Sequence, residues 1–357
     1  MSYSSTKQQS SVAVVGAMFI SLGTVPPTAA ATFSPAPLFQ EVNSYSITIA
    51  ANGDLADIYF PVPSNSNNTK EFPIALLLQG ALVDKSDYSS FARQVASYGF
   101  VVVVPNHFRT ITNPMTGQTL TGLLPEQQQV NDVLSHMVGE NSNPSSPVAG
   151  RVDTDKLGLL GHSFGGAVGL AVIQDICFPF VCSGSFNQPP ELMAGIFYGT
   201  NFRDPPQVGS FPPVNNGGIP TALITGSQDG VALPAASETT YNQIQDPPKA
   251  LILLEGANHY GITNLDNLQR DPIRPTLDQA VATETLARWS AIFLRAHLLD
   301  DGEAFDYVYN TGDATDENVT VISQTQPVPE PASVLSIVVF GVGSVCSILQ
   351  DRRKKVS

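Results

Sequence analysis

The sequence is short of positive charge: 17 Lys and Arg stand against 31 Asp and Glu in 357 residues, a formal net charge of −14. A surface built to hold phosphate or nucleic acid needs clustered cations. The body of the chain has no such cluster, so a nucleic-acid partner is excluded. Cysteine is scarce too, with three residues. Cys346 lies in an apolar tail, while Cys177 and Cys182, in "CFPFVC", have no neighbouring His or Cys that would complete a tetrahedral metal site. That pair reads either as a local disulfide formed in an oxidising compartment or as two free buried thiols. No internal repeat is evident. A mean hydropathy of +0.04 excludes disorder across the whole chain and allows a large core.

What is present is an alternation. "PIALLLQG" (73 to 80) and "FVVVVPN" (100 to 106) are unbroken apolar runs of the kind found in strands buried on both faces. Between them Tyr88, Phe91, Ala92 and Val95 recur at helical spacing, with Ser86 as the expected N-cap and Gly99 just past the end. Val130, Val133, Leu134 and Met137 mark another helix. "KLGLLG", "MAGIFYG", "PTALITG" and "KALILLEG" supply further strands, with "AVGLAVIQDI" as a helix after the first of them. A last helix opens at Thr276-Leu277-Asp278-Gln279, a capping-box spacing, and carries Leu286, Trp289 and Phe293 on one face. Strands alternating with helices predict an α/β architecture, a mostly parallel sheet covered on both faces. "SYSITIA" and "ADIYFPV", with no helix between them, predict an antiparallel hairpin at the sheet edge. The Pro-, Gly- and Asn-rich stretches 108 to 125 and 201 to 218 read as long functional or mobile loops.

The densest motif is Gly161-His162-Ser163-Phe164-Gly165, directly after a strand and directly before a helix. G-x-S-x-G in that context is a sharp, strained turn that presents a serine, with glycines where strand and helix must close up. The turn opens a helix, whose free N–H groups favour developing negative charge. A serine hydroxyl needs a base before it can attack. Of five histidines, His162 adjoins the serine and is expected to point away from it. His136 and His297 fall in helices and read as structural. His107 follows a strand and is a candidate to line the site. His259, in "EGANHYG", follows the final strand and is the expected base. For the order Ser, Asp, His along the chain, Asp229 in "LITGSQDGVALP" is the expected acid, whereas Asp204 and Asp246 lie in proline-rich loops with no strand leading into them.

With Ser163, Asp229 and His259 each after a strand, the chain resembles an α/β-hydrolase over roughly residues 40 to 300. "LLLQGALVDKSDYSSFARQVASYGFVVVVPNH" and "GLLGHSFGGAVGL" look like the chlorophyllase and the polyester-hydrolase or cutinase branch, and "GHSFGG" is also similar to platelet-activating-factor acetylhydrolases. The resemblance implies an oxyanion hole made by the amides of Phe164 and Ala81. At that second position the sequence has Gln79-Gly80 in place of the commoner His-Gly or Pro-Gly. The implied activity is a cofactor-free serine carboxylesterase acting on a small-molecule or polymeric ester. The other class kept open is a surface or extracellular-matrix protein that retains the fold without catalysis.

Membrane-directed segments bracket this body. "SVAVVGAMFISLG" (11 to 23), between Lys7 and "PTAAATF", reads as the core of a signal peptide (1–31) or an uncleaved anchor. Residues 32–300 are then the catalytic domain and the acidic stretch 301–327 a linker. In 328–357, Val328-Pro329-Glu330-Pro331, the apolar run 332 to 349 and "DRRKK" resemble, in that order, a PEP-CTERM sorting signal. The resemblance implies export to the cell surface or medium, a membrane-anchored stage and a sorting and processing machinery as partner. A plain C-terminal anchor is the alternative.

Overall fold

In the apolar runs read as strands, neighbouring residues belong to different cores, which is why the runs are unbroken. Side chains alternate across a strand. Thus Ala75 and Leu77 face one cluster and Ile74, Leu76 and Leu78 the other, and Val102 and Val104 are likewise separated from Val101 and Val103. The computed structural model describes residues 33, 35–64, 70–112, 117–204 and 209–326. The signal-type segment 1–31 and the sorting-type tail 328–357 lie outside them. Among the described residues no helix is long and apolar enough to cross a membrane.

Among the described residues, nine strands form the main sheet. The edge hairpin β1 (Val42–Thr48) and β2 (Leu55–Pro61) is antiparallel, with Thr48 opposite Leu55. β3 (Phe72–Leu78) and β4 (Val101–Asn106) run parallel to each other, and β2 pairs with β4 in the opposite sense. β5 (Phe108–Thr112) and β6 (Thr119–Leu123) make a separate two-stranded sheet, so the stretch 108 to 125, read as a long functional or mobile loop, contains a hairpin. Cross-strand pairs such as Thr110 opposite Thr121 supply its order. β7 (Val152–His162), β8 (Leu192–Tyr198), β9 (Thr221–Gly226) and β10 (Lys249–Leu254) continue the parallel array from β3. β11 (Val319–Gln324) closes the far edge antiparallel to β10, giving the order β1-β2-β4-β3-β7-β8-β9-β10-β11.

Helices cover both faces. α1 (Ser89–Ser97) and α5 (Gln279–Leu298) bury Phe91, Val95, Leu286, Trp289 and Phe293 on one side. On the other, α2 (Gln128–Ser142), α3 (Phe164–Ile173) and α4 (Pro234–Gln243) bury Val130, Val133, Val168, Leu170 and Tyr241. Two expected caps move. α5 starts later than the Thr276 spacing suggests, because the Asp278 carboxylate accepts from the Ala280 and Val281 amides. Before α1, Asp84 rather than Ser86 is the capping side chain, holding a short 3-10 turn at Lys85–Tyr88.

The stretch 301–327 differs from the linker expected of it. It contains α6 (Gly302–Asp306), a wide turn at Tyr307–Thr311 and β11. Its acidic composition suggested a solvated segment, but Tyr307, Val308 and Tyr309 are buried in the core shared with α5, and two of its acids, Asp301 and Asp316, hold structural partners. Asp301 accepts from the Ala304 amide and from Arg295 Nε. The buried Asp316 carboxylate accepts from Trp289 Nε1 at 2.8 Å and from Arg288 at 2.9 Å. Removing one partner of such a buried pair strands the other. Asp316→Ala is therefore expected to destabilise the protein by about 2–4 kcal/mol, read from urea unfolding, where a change under 0.5 kcal/mol would contradict the account.

Candidate active site

Ser163 sits at the junction of β7 and α3 with φ 53° and ψ −119°, a conformation rarely adopted by a residue with a side chain. The close approach of strand and helix is the physical reason for the flanking glycines. A Cβ on Gly161 would lie 2.9 Å from the Gly165 carbonyl oxygen, and one on Gly165 would lie 2.1 Å from that of Leu78. The serine amide donates to Tyr198 O at 2.9 Å, and its carbonyl accepts from Gly166 and Ala167 in the first turn of α3. The side chain is half-buried, so the hydroxyl keeps an approach from solvent.

The structure brings the three expected residues together. His259, past the end of β10, places Nε2 2.8 Å from Ser163 Oγ and Nδ1 2.8 Å from Asp229 Oδ2. Asp229, past the end of β9, is fixed because its other carboxylate oxygen accepts from the Val231 and Ala232 amides at 2.9 and 2.7 Å. A carboxylate so placed accepts a hydrogen bond from Nδ1–H, which leaves the Nε2 lone pair facing the serine hydroxyl. Both side chains of this hydrogen-bonded pair are buried, with exposures of 2% and 0%. Of the competing acids, Asp246 accepts from the Gly218 amide, and Asp204 lies in a segment whose backbone bridges to Ser210.

Two loop contacts bear on the expected oxyanion donors. The Leu78 and Gln79 carbonyls press against Gly165, so the turn carrying Ala81 starts beside the first turn of α3. The buried Gln79 amide bridges backbone, donating to Pro105 O and accepting from His107 N. Among the described residues neither the Phe164 nor the Ala81 N–H donates to another protein group. Between the loops after β3 and β10 lies a cavity of about 140 Å³, lined by Leu82, Val83, Asp87, Tyr260, Asp266 and Arg270 among others.

The remaining histidines divide as follows. His162 is fully buried, its ring centre 4.8 Å from that of His259, and burial holds its pKa well below the usual value. His136 accepts from the Ala50 amide beside α2. His297 packs in α5 against Tyr309, and burial lowers its pKa to about 4. His107 is committed to a buried ion cluster, 2.9 Å from the Asp54 carboxylate and 3.2 Å from Glu126, which also pairs with Arg109 and accepts from Ser183. Asp271 is the residue that sequence reasoning missed. Fully buried, it accepts from the His259, Gly230 and Ile273 amides and so ties the His259 loop to the Asp229 loop. Its one signal is the Asp-Pro pair at 271 and 272, a turn initiator. Cys177 and Cys182 are bonded to each other.

Sheet order and two-sided helix cover define the α/β-hydrolase fold. A family model described as chlorophyllase matches residues 60–178, a span that contains Ser163 but stops before Asp229 and His259. Chlorophyllase type 0 of Chenopodium album is 26% identical over 260 residues, covering 66% of this chain and 70% of that protein. Cutinase est2 of Thermobifida alba is 27% identical over 216 residues, 58% of each. The cutinase of Thermobifida fusca (strain YX) is 26% identical over 206 residues, 57% of this chain and 56% of its own. The chain thus spans less than two thirds of these two cutinases, and it is similar to the chlorophyllase and cutinase group of hydrolases.

Two expectations follow. Gly199, at φ 58°, leaves no room for a side chain, since a Cβ would lie 3.0 Å from both Asp229 Oδ2 and His259 Nδ1. Gly199→Ala should slow fluorophosphonate labelling of Ser163 about 100-fold by displacing the imidazole; an unchanged labelling rate would contradict this. The second concerns pH. Burial opposes charge on His107, but its hydrogen bonds to Asp54 and Glu126 prevail and raise its pKa from 6.5 to about 9. The hydrogen bond from His107 lowers Glu126 from 4.5 to about 2. The His107 contribution is complete below pH 6.5 and lost as pH rises through 9, whereas the Glu126 contribution is complete above pH 4.5 and lost as pH falls through 2. Unfolding free energy should drop by about 1–3 kcal/mol between pH 6.5 and 9.5, and His107→Gln should flatten that drop; equal slopes in both proteins would refute the assignment.

Proposed function

We propose that the chain is an exported serine carboxylesterase, chlorophyllase- or cutinase-like in its chemistry. The observation that carries the reading is the unbroken line from Asp229 through His259 to Ser163, with 2.8 Å at each step and a strained serine turn at its end. In this mechanism His259 Nε2 takes the Ser163 proton as Oγ attacks an ester carbonyl. Asp229 holds the ring in the Nδ1–H tautomer and stabilises the imidazolium that forms. The Phe164 and Ala81 N–H groups receive the developing oxyanion, a term worth about 3 kcal/mol per donor in such sites. The imidazolium then protonates the leaving alkoxide. Water, deprotonated by the same imidazole, releases the acyl-enzyme.

Apolar side chains on the loops around the site support an ester with an apolar portion. Leu82 follows β3, Val231 and Leu233 follow Asp229, and Leu265 and Leu268 follow His259; all are exposed. Solvated apolar groups gathered on the loops of one sheet edge are a recurrent feature of binding surfaces. Export rests on the signal-type segment and on the sorting-type tail with its membrane-anchored stage and processing machinery. The Cys177–Cys182 disulfide accords with an oxidising compartment. The catalytic body then runs from residue 32 through β11.

Ser163→Ala is expected to lower ester turnover by about four to six orders of magnitude while leaving unfolding free energy within about 1 kcal/mol of the wild type. A p-nitrophenyl ester series and a urea titration measure both. Wild-type protein that neither turns over esters nor takes a fluorophosphonate label would favour the catalytically inactive scaffold instead.

A further inference from the structure

His162 is adjacent to the proposed nucleophile yet has no part in the proton transfer described. Its ring joins three hydrogen bonds in series. The Gly80 N–H donates to the Tyr88 phenol oxygen at 2.8 Å, Tyr88 meets His162 Nδ1 at 2.8 Å, and His162 Nε2 meets the backbone carbonyl of His259 at 2.9 Å. Chemistry fixes the direction of each. A carbonyl only accepts, so Nε2 carries the hydrogen. A neutral imidazole has one N–H, so Nδ1 accepts and the phenol donates to it. The lone pair left on the phenol oxygen takes the Gly80 amide. Tyr88 and His162 are both fully buried, and burial favours the neutral ring this scheme requires.

The ends of this chain of bonds lie at the chemistry. Gly80 precedes Ala81, whose amide is the proposed second oxyanion donor. The carbonyl at the other end belongs to His259 itself, and the ring in the middle is one peptide bond from Ser163. The fit is close, since a Cβ on Gly80 would stand 2.7 Å from His162 Nδ1. On its other side the Ala81 carbonyl accepts from Arg270 at 2.8 Å, a strap that is exposed where the Tyr88 bond is buried. Oxyanion donors and a general base lose effect when displaced by a fraction of an ångström. We propose that Tyr88 and His162 are positioning residues: their hydrogen-bonded bridge, from the loop after β3 through the last residue of β7 to the loop after β10, sets the Ala81 amide and the His259 imidazole against Ser163. The proposal rests on the esterase reading.

Tyr88→Phe keeps the ring and removes the one oxygen through which the bridge runs. With p-nitrophenyl butyrate, kcat should fall 10- to 100-fold with KM within twofold, because the lost register acts on the reacting groups rather than on substrate binding. In wild-type protein labelled with 15N-histidine, NMR should show His162 protonated at Nε2, unprotonated at Nδ1 and untitrated from pH 5 to 9. In Tyr88→Phe the Nδ1 resonance should move toward that of a lone pair with no donor. A folded Tyr88→Phe variant with kcat within twofold of wild type, or a wild-type ring protonated at Nδ1, would overturn the assignment. The wild-type spectrum decides the bridge even where the variant is unstable. A working wild type silenced by Ser163→Ala but untouched by Tyr88→Phe removes this proposal alone, whereas a wild type without turnover removes the esterase reading beneath it.

Discussion

The β7–α3 turn brings a strand end and a helix start to backbone contact, and the Ser163 conformation is the consequence. Because Gly165 touches the Leu78 carbonyl and Gly161 touches the first turn of α3, no side chain is tolerated on either flank, and the residue between must take a positive φ. Such a conformation costs on the order of 1–3 kcal/mol and persists only where the surroundings over-determine it. Here the surroundings are a parallel sheet with β3 and β8 bonded on either side of β7. The same contact that strains the serine also sets the Gln79-Gly80-Ala81 turn against the N-terminus of α3.

Around that point the fold separates rigidity from chemistry. Two cores hold the strands, and the groups that touch the serine come from loops at one edge of the sheet. Those loops are bonded to one another more densely than the term loop suggests. Asp271 joins the His259 loop to the Asp229 loop, and Asn264 binds Ser86 just before α1 and Ser89 at its first residue. Leu82 donates to Leu123 of the β5–β6 hairpin, and Arg109 at the base of that hairpin donates to Phe180 within the disulfide loop. Side-chain bridges of this kind are how a site built from distant segments keeps sub-ångström geometry without being part of the sheet.

Much of this was legible in the residues. The two-core sheet follows from unbroken apolar runs, the edge hairpin from two strands without a helix between them, and the serine turn from glycine spacing. Ser163, Asp229 and His259 could be named because each follows a strand at the same edge, and the structure places His259 within hydrogen-bonding distance of the other two. What was not legible depended on partners distant in sequence. Asp316 looks like one acid among many in a polar stretch until Trp289 and Arg288 are placed beside it. His162 reads as a bystander because Tyr88 stands 74 residues away and the His259 carbonyl 97. Asp271 carries no strand before it, and its role lies in three backbone amides that a sequence pattern does not display.

The central claim is that Ser163, activated by His259, sits before two free amides that receive an oxyanion. A crystal structure of the protein after reaction with a small fluorophosphonate tests this directly. The account predicts a phosphorus bonded to Ser163 Oγ, with its phosphoryl oxygen about 2.7–3.1 Å from both the Phe164 and Ala81 nitrogens. An unmodified Ser163, or an adduct whose phosphoryl oxygen faces solvent away from those amides, would contradict it.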